Sequence, residues 1–193
     1  MLHGDGVVLA GGASRRMGQP KEELRLPTGE TLLVHAQKTL SETVDGIIWI
    51  ARAYGHYPHD PTDLPDAVPH KGPLAGIQNA LTHSQKSYLA VLAVDLPNVS
   101  VSLIRAMVHT MANDDTLNVV YAASARDRQP LVSIWHKSAL PYLKEALAAP
   151  VVPSVQSILD RLSCQTVMAA EPSALVNVNT PEEWHRFLQR VSS

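Results

Sequence analysis

The sequence has a single cysteine, Cys164, in 193 residues. One thiol rules out a disulfide within the chain and any zinc site built on cysteines, and it suits a reducing compartment. A long apolar run is also missing. The longest, Tyr88–Val94, is far below the roughly 20 residues that span a bilayer. The opening MLHGDGVVLAGG has neither the basic start nor the apolar length of a signal peptide. We therefore expect a cytoplasmic protein without membrane contact. Nor is there an excess of positive charge: 16 basic residues stand against 18 acidic ones, for a formal net charge of -2. That balance argues against a general nucleic-acid surface, so phosphate chemistry would have to be local.

Familiar signatures are absent too. There is no six-residue glycine fingerprint for dinucleotides, no Gly-Lys-Ser/Thr phosphate loop, and no Gly-x-Ser-x-Gly elbow for a serine nucleophile. No internal repeat, low-complexity tract or dividing linker interrupts the chain. With 45% hydrophobic residues, it is long enough to bury a full core, and we expect one domain over residues 1–193.

What the sequence does contain is a series of short apolar runs, around Val7, Ile48, Tyr88, Leu117, Leu131 and Ala174. Most are continuous rather than alternating, as in strands buried on both faces of a mostly parallel sheet. Helical spacing fills the gaps: Leu32, Leu33, Ala36 and Leu40; then Leu103, Ile104, Met107, Val108 and Met111; then Leu140, Leu143 and Leu147. The alternation predicts an α/β fold. Thr180, Pro181, Glu182 and Glu183 give the last helix a hydroxyl cap, a first-turn proline and a glutamate at the third position, and it should run to about Arg190. Between Ala53 and Pro73 periodicity is lost. We read a long surface excursion there, with a short strand at its end.

Four stretches could carry chemistry. In open α/β sheets ligands bind beyond the carboxyl ends of the strands, where VVLAGGASRRMGQPK falls. Gly11 and Gly12 admit close backbone approach, while Ser14, Arg15, Arg16 and Lys21 offer donors to phosphate oxygens. An ordinary loop with solvated charges is the competing reading. In LAVDLPN, Asp95 ends a wholly apolar strand, a place suited to a divalent ion shared with substrate phosphates; the alternative is a turn aspartate or a cap for a helix near Ser100. Gly72, Pro73 and Gly76 open a helix whose first amides could meet a base or phosphate. Asn177 and Asn179 stand two apart in an extended segment, so both side chains share one face. His56, His59 and His70 match no metal-ligand spacing and read as loop histidines.

Taken in order, these stretches resemble the molybdenum cofactor guanylyltransferases, the MobA family of the nucleotidyltransferase superfamily. The family's opening pattern is carried by Leu9, Ala10, Gly11, Gly12, Ser14, Arg16, Met17, Gly18 and Lys21. Its Gly-Pro-Leu-Ala-Gly element is Gly72, Pro73, Leu74, Ala75 and Gly76, its Asp-x-Pro is Asp95 to Pro97, and its Asn-Val-Asn-Thr-Pro-Glu-Glu is Asn177 to Glu183. The opening pattern is common to many nucleotidyltransferases; the second and last elements are narrower.

The resemblance implies a Rossmann-like three-layer sandwich with a mostly parallel sheet. It also implies magnesium-dependent transfer of GMP from GTP to the terminal phosphate of molybdopterin, giving molybdopterin guanine dinucleotide and pyrophosphate. Arg16 and Lys21, with Arg15, Ser14 and the loop amides, would hold the triphosphate. Asp95 would hold Mg2+ with Asn179, and Asn177 would line the same site. Asp66 would meet the donors on the pairing edge of guanine, and Gly12 would leave room for the purine. Transient contact with other proteins of molybdenum cofactor assembly follows from the same resemblance. Arg126 and Arg128, beside Gln129 and Pro130, are candidates for the acceptor phosphate, a charged turn being the alternative. The stretch GQPKEELRLPTGETLL looks more like the cytidylyltransferase branch, and APVVPSVQSIL lacks the basic residues expected on the pterin side. Transfer from CTP, and a non-catalytic nucleotide-binding module of the same fold, therefore stand beside the guanylyl reading. Retention of Asp95, Arg16 and Lys21 together speaks against the module.

Overall fold

A computed structural model describes residues 1–10, 18–52, 61–65 and 71–191. Seven strands form one sheet: β1 (Gly4–Leu9), β2 (Ile48–Arg52), β3 (Asp63–Pro65), β4 (Tyr88–Ala93), β5 (Val119–Ala123), β6 (Arg128–His136) and β7 (Cys164–Met168). They lie in the order β3-β2-β1-β4-β6-β5-β7. All neighbours are parallel except β6, which runs antiparallel to both β4 and β5.

Both faces are covered, which is why the central strands read as continuous apolar runs. Val7 and Val8 are each fully buried on opposite sides of β1. Val8 joins a core with Leu32 and Leu40 of α1 (Leu32–Ser41) and with Ile104, Met107 and Met111 of α3 (Val101–Ala112). Val7 joins the opposite core with Leu74, Ile77 and Leu81 of α2 (Pro73–His83), Leu143 of α4 (Leu140–Ala148) and Ile158 of α5 (Val155–Leu159). The chain moves outward from β1 to β2 and β3, then returns across α2 to place β4 on the other side of β1. The gap between β1 and β4 is thus the switch point of the sheet, where this class of fold binds ligands.

Local sequence explains where α2 begins. Gly72 has φ 68°, a conformation that favours glycine, and caps a helix that starts with Pro73. Gly76 lets that helix lie against the sheet: a β-carbon there would sit 3.0 Å from both Ala51 Cβ and Leu9 Cδ2. The start of α2 is therefore pressed against the carboxyl ends of β1 and β2.

Some expectations need correction. The stretch from Ala174 is not a strand but a 3-10 turn, Pro172–Leu175, followed by an extended segment outside the sheet. The seventh strand is Cys164–Met168, an edge whose side chains are half-buried or exposed and which has no continuous apolar run. The short strand of the excursion, β3, lies in its middle rather than at its end. Helix α5, started by Ser154 accepting from Ser157 N, is too short to show a period. The last helix, α6 (Pro181–Val191), starts where expected: Thr180 Oγ1 accepts from Glu183 N at 3.2 Å, and Glu183 Oε2 accepts from Thr180 N at 3.1 Å.

Candidate active site

Asp95 stands two residues past the end of β4. Two tight turns, Leu96 N to Ala93 O and Val99 N to Leu96 O, stop the strand there and leave the carboxylate at its end. The cap of α3 is not Asp95 but Ser100, whose hydroxyl accepts from Leu103 N at 3.2 Å. Capping is thereby removed as the reason for an aspartate at this place.

The backbone carbonyl of Asp95 accepts from Val178 N at 2.9 Å, which fastens the segment before α6 across the end of β4. Consequently the two asparagines of that segment flank the acid. Asn177 Nδ2 donates to Asp95 Oδ1 at 3.1 Å, while Asn179 Oδ1 accepts from Lys21 Nζ at 2.6 Å. Lys21 Nζ also stands 3.4 Å from Asp95 Oδ2. The period-two expectation therefore holds: both amides reach the same lysine–aspartate pair. Glu183 fixes the far end, accepting from Asn179 N at 2.7 Å, so the capping box of α6 also sets the position of Asn179.

Gln129 of β6 completes the chain of contacts by donating from Nε2 to Asn177 Oδ1 at 2.8 Å. Residues from four separated parts of the sequence thus meet beside the switch point. Lys21 and Asp95 are 16% and 18% exposed, enough to meet a ligand and little enough to resist screening. In the sequence Gln129 figures only as a neighbour of Arg126 and Arg128, and nothing local points to its contact with Asn177.

Other expected residues fall around this centre. Leu9 ends β1 and Ala10 follows it, both with buried side chains, and Val94 N donates to Leu9 O at 3.1 Å, so they bring backbone rather than side chain to the site. Leu74 is likewise buried in the core, and Gly72 with Pro73 opens α2 at the same strand ends. Gly11, Gly12, Ser14, Arg15, Arg16 and Asp66 lie outside the described residues, as do His56, His59 and His70. Arg126 and Arg128 sit at the β5–β6 turn, one wall of a cleft completed by Pro172–Val176 and Arg190. Arg128 is held by Asp160 at 2.6 Å and lies over the Tyr121 ring. Its pKa is raised above the usual arginine value, first by the hydrogen bond to Asp160 and then by Tyr121. Cys164 contributes nothing to this centre: burial pushes its thiol up to about 11.

Among the described residues no three histidines, cysteines or carboxylates gather into a metal cage. The donor set at Asp95 suits a different kind of ion. One carboxylate and the Asn179 amide oxygen converge on a cationic group, the Lys21 ammonium. Magnesium is commonly bound in this way, by one or two carboxylates with phosphate and water filling the remaining positions.

A mostly parallel sheet with a lysine–carboxylate pair at its switch point is a frame that can take a nucleotide, and comparison with known families gives its class, nucleotidyltransferase. The MobA-like NTP transferase domain matches residues 6–167, and the chain belongs to that family. It is 30% identical over 186 residues to a molybdenum cofactor guanylyltransferase of Aliivibrio fischeri, covering 94% of this chain and 93% of that one. A crystal structure of molybdopterin-guanine dinucleotide biosynthesis protein A from Archaeoglobus fulgidus superposes with a TM-score of 0.76 at 22% identity, covering 97% of this chain and 98% of the other. The fold is shared as well with a manganese complex of Rv0371c from Mycobacterium tuberculosis, with a TM-score of 0.68 at 16% identity, covering 96% and 97% of the two chains. No helix among the described residues is long and apolar enough to cross a membrane.

Proposed function

We propose that this chain, acting as one domain over residues 1–193, transfers GMP from GTP to the terminal phosphate of molybdopterin. Molybdopterin guanine dinucleotide and pyrophosphate are the products. The observation that carries the reading is the junction of Lys21, Asp95, Asn177 and Asn179 beside the switch point. It lies in a chain about 30% identical to a relative named for that reaction.

A phosphate oxygen of the pterin attacks the α-phosphorus of GTP, a P–O bond forms, and the bond to the β-phosphate breaks as pyrophosphate leaves. Such transfers depend on alignment and on neutralising charge, and need no protein nucleophile. Lys21, released from Asp95 and Asn179 when phosphate arrives, holds the triphosphate and stabilises the departing pyrophosphate, together with Arg16, Arg15, Ser14 and the amides of Gly11 and Gly12. Asp95 and Asn179 would hold Mg2+, which supplies charge neutralisation at the phosphate oxygens when bound. Asn177 keeps the Asp95 carboxylate turned toward the site and is itself held by Gln129. Asp66 meets the guanine edge, and the start of α2 from Gly72 lines the nucleotide side. Arg126 and Arg128 take the acceptor phosphate, with Arg128 oriented by Asp160. The product then passes by transient contact to other proteins of molybdenum cofactor assembly.

The test is molybdopterin-dependent pyrophosphate release with Mg2+, comparing GTP, CTP and ATP at equal concentration with Asp95→Ala as the blank. A GTP preference supports the guanylyl reading. A CTP preference, suggested by the stretch from Gly18 to Leu33, moves the enzyme to the cytidylyl branch with the same machinery. Release that survives Asp95→Ala overturns the site.

A further inference from the structure

Lys21 belongs to a three-residue 3-10 turn, Lys21–Glu23, entered through Pro20, and this turn has little backbone support of its own. Among the described residues Glu23 N to Pro20 O at 3.2 Å and Leu24 N to Lys21 O at 3.0 Å close it, and Leu32 N to Leu24 O at 2.9 Å ties its end to α1. Side chains on so short a turn share in fixing its place. Successive residues of such a turn point about 120° apart, and here Lys21 reaches Asp95 whereas Glu22 turns inward. Glu22 is 5% exposed, with Oε1 3.7 Å from Arg52 Nη1 at the end of β2. Arg52 Nε in turn donates to Asp63 Oδ1 of β3 at 2.9 Å. A buried charged path thus runs from β3 through β2 to the residue beside Lys21.

As a source of stability this path is poor. Glu22 Oε1 is closed off from solvent and accepts no hydrogen bond among the described residues, and a buried ion pair of such loose geometry barely offsets its desolvation. What it supplies is placement. We propose that Glu22, buried and paired with Arg52, is a positioning residue that sets the Lys21 ammonium against the outer phosphates of the nucleotide. This rests on the role given to Lys21 above and extends it to two residues that touch no substrate.

The experiment measures equilibrium binding of GTP and of GMP, with Mg2+, by the wild type, Lys21→Ala, Glu22→Gln and the double variant. GMP lacks the outer phosphates, so it reports the rest of the pocket. Expected are a loss of GTP affinity of about tenfold in Glu22→Gln, a GMP affinity changed less than about twofold, and a double variant no weaker than Lys21→Ala alone. Arg52→Lys, which keeps the charge but not the planar fork, should repeat this pattern at smaller size, and it serves if Glu22→Gln does not fold. Wild-type GTP affinity in Glu22→Gln, equal losses for GTP and GMP, or independent losses in the double variant would overturn the inference while leaving Lys21 in place. If Lys21→Ala itself binds GTP normally, the reading of Lys21 fails first and this inference falls with it.

Discussion

Two lysine- or arginine-to-aspartate pairs stand near the proposed reaction path, and they differ in an instructive way. Arg128 and Asp160 are 2.6 Å apart but 49% and 62% exposed; Lys21 and Asp95 are 3.4 Å apart but 16% and 18% exposed. Ranked by distance, the first is the stronger pair. Ranked by environment the order reverses, because water and salt screen the exposed charges. The longer pair sits at the switch point, is framed by three amide side chains, and has room to separate around a phosphate. A short contact on the surface is an endpoint, whereas a slack contact in a partly buried site can exchange partners.

The same substitution at both acids breaks or sharpens that contrast. Asp95→Asn keeps the shape and the contact with Asn177 but removes the charge, and transfer should fall by about a thousandfold while the chain stays folded. Pyrophosphate release and circular dichroism on one preparation check both halves. Lys21→Ala should lose about a hundredfold in kcat/KM, roughly tenfold of it in GTP binding and the rest in kcat, if the ammonium both holds the triphosphate and acts on the leaving pyrophosphate. A loss confined to KM would instead assign Lys21 to uniform binding.

A smaller effect is expected at the start of α6. Thr180→Ala removes the hydroxyl half of the reciprocal cap and leaves Glu183 accepting from the backbone of residue 180, and denaturant unfolding should show a loss of about 1 kcal/mol. Glu183 also holds Asn179 N, so slack in the capping box reaches Lys21 through one amide side chain. Transfer should accordingly drop by roughly threefold to tenfold, in proportion to the freedom Asn179 gains.

How much of this could be read beforehand follows from the physics of each segment. Strand β4 and Asp95 were legible because a buried strand writes an uninterrupted apolar run, and a carboxylate at its end breaks the pattern visibly. The Thr180 cap and the shared face of Asn177 and Asn179 were legible because both are local rules. The stretch from Ala174 misled because Leu175 and Val178 are buried, at 8% and 2% exposure, without belonging to the sheet. An apolar run reports burial, not hydrogen-bond partners. Strand β7 was missed for the opposite reason: as an edge it buries little and is held by backbone pairing to β5. Gln129 and the Glu22–Arg52 path could not be found locally at all, since each is defined by a partner tens of residues away.

The least effect is expected from Asp160→Asn. The tight hydrogen bond to Arg128 would be lost, yet both groups face solvent, and an exposed pair gains little over two separately hydrated ions. The denaturation midpoint should stay within the scatter of wild-type repeats, and transfer should change by no more than about threefold, the margin left for Arg128 losing one of its restraints. The raised pKa of Arg128 adds no pH dependence near neutrality, because the guanidinium is fully charged with or without its partner. If Asp160→Asn instead cost as much transfer as Asp95→Asn, the surface pair would be part of the reaction centre. Exposure would then be the wrong criterion for ranking the two, and the cleft beside Arg126 and Arg190 would have to hold the reacting phosphates rather than the acceptor alone.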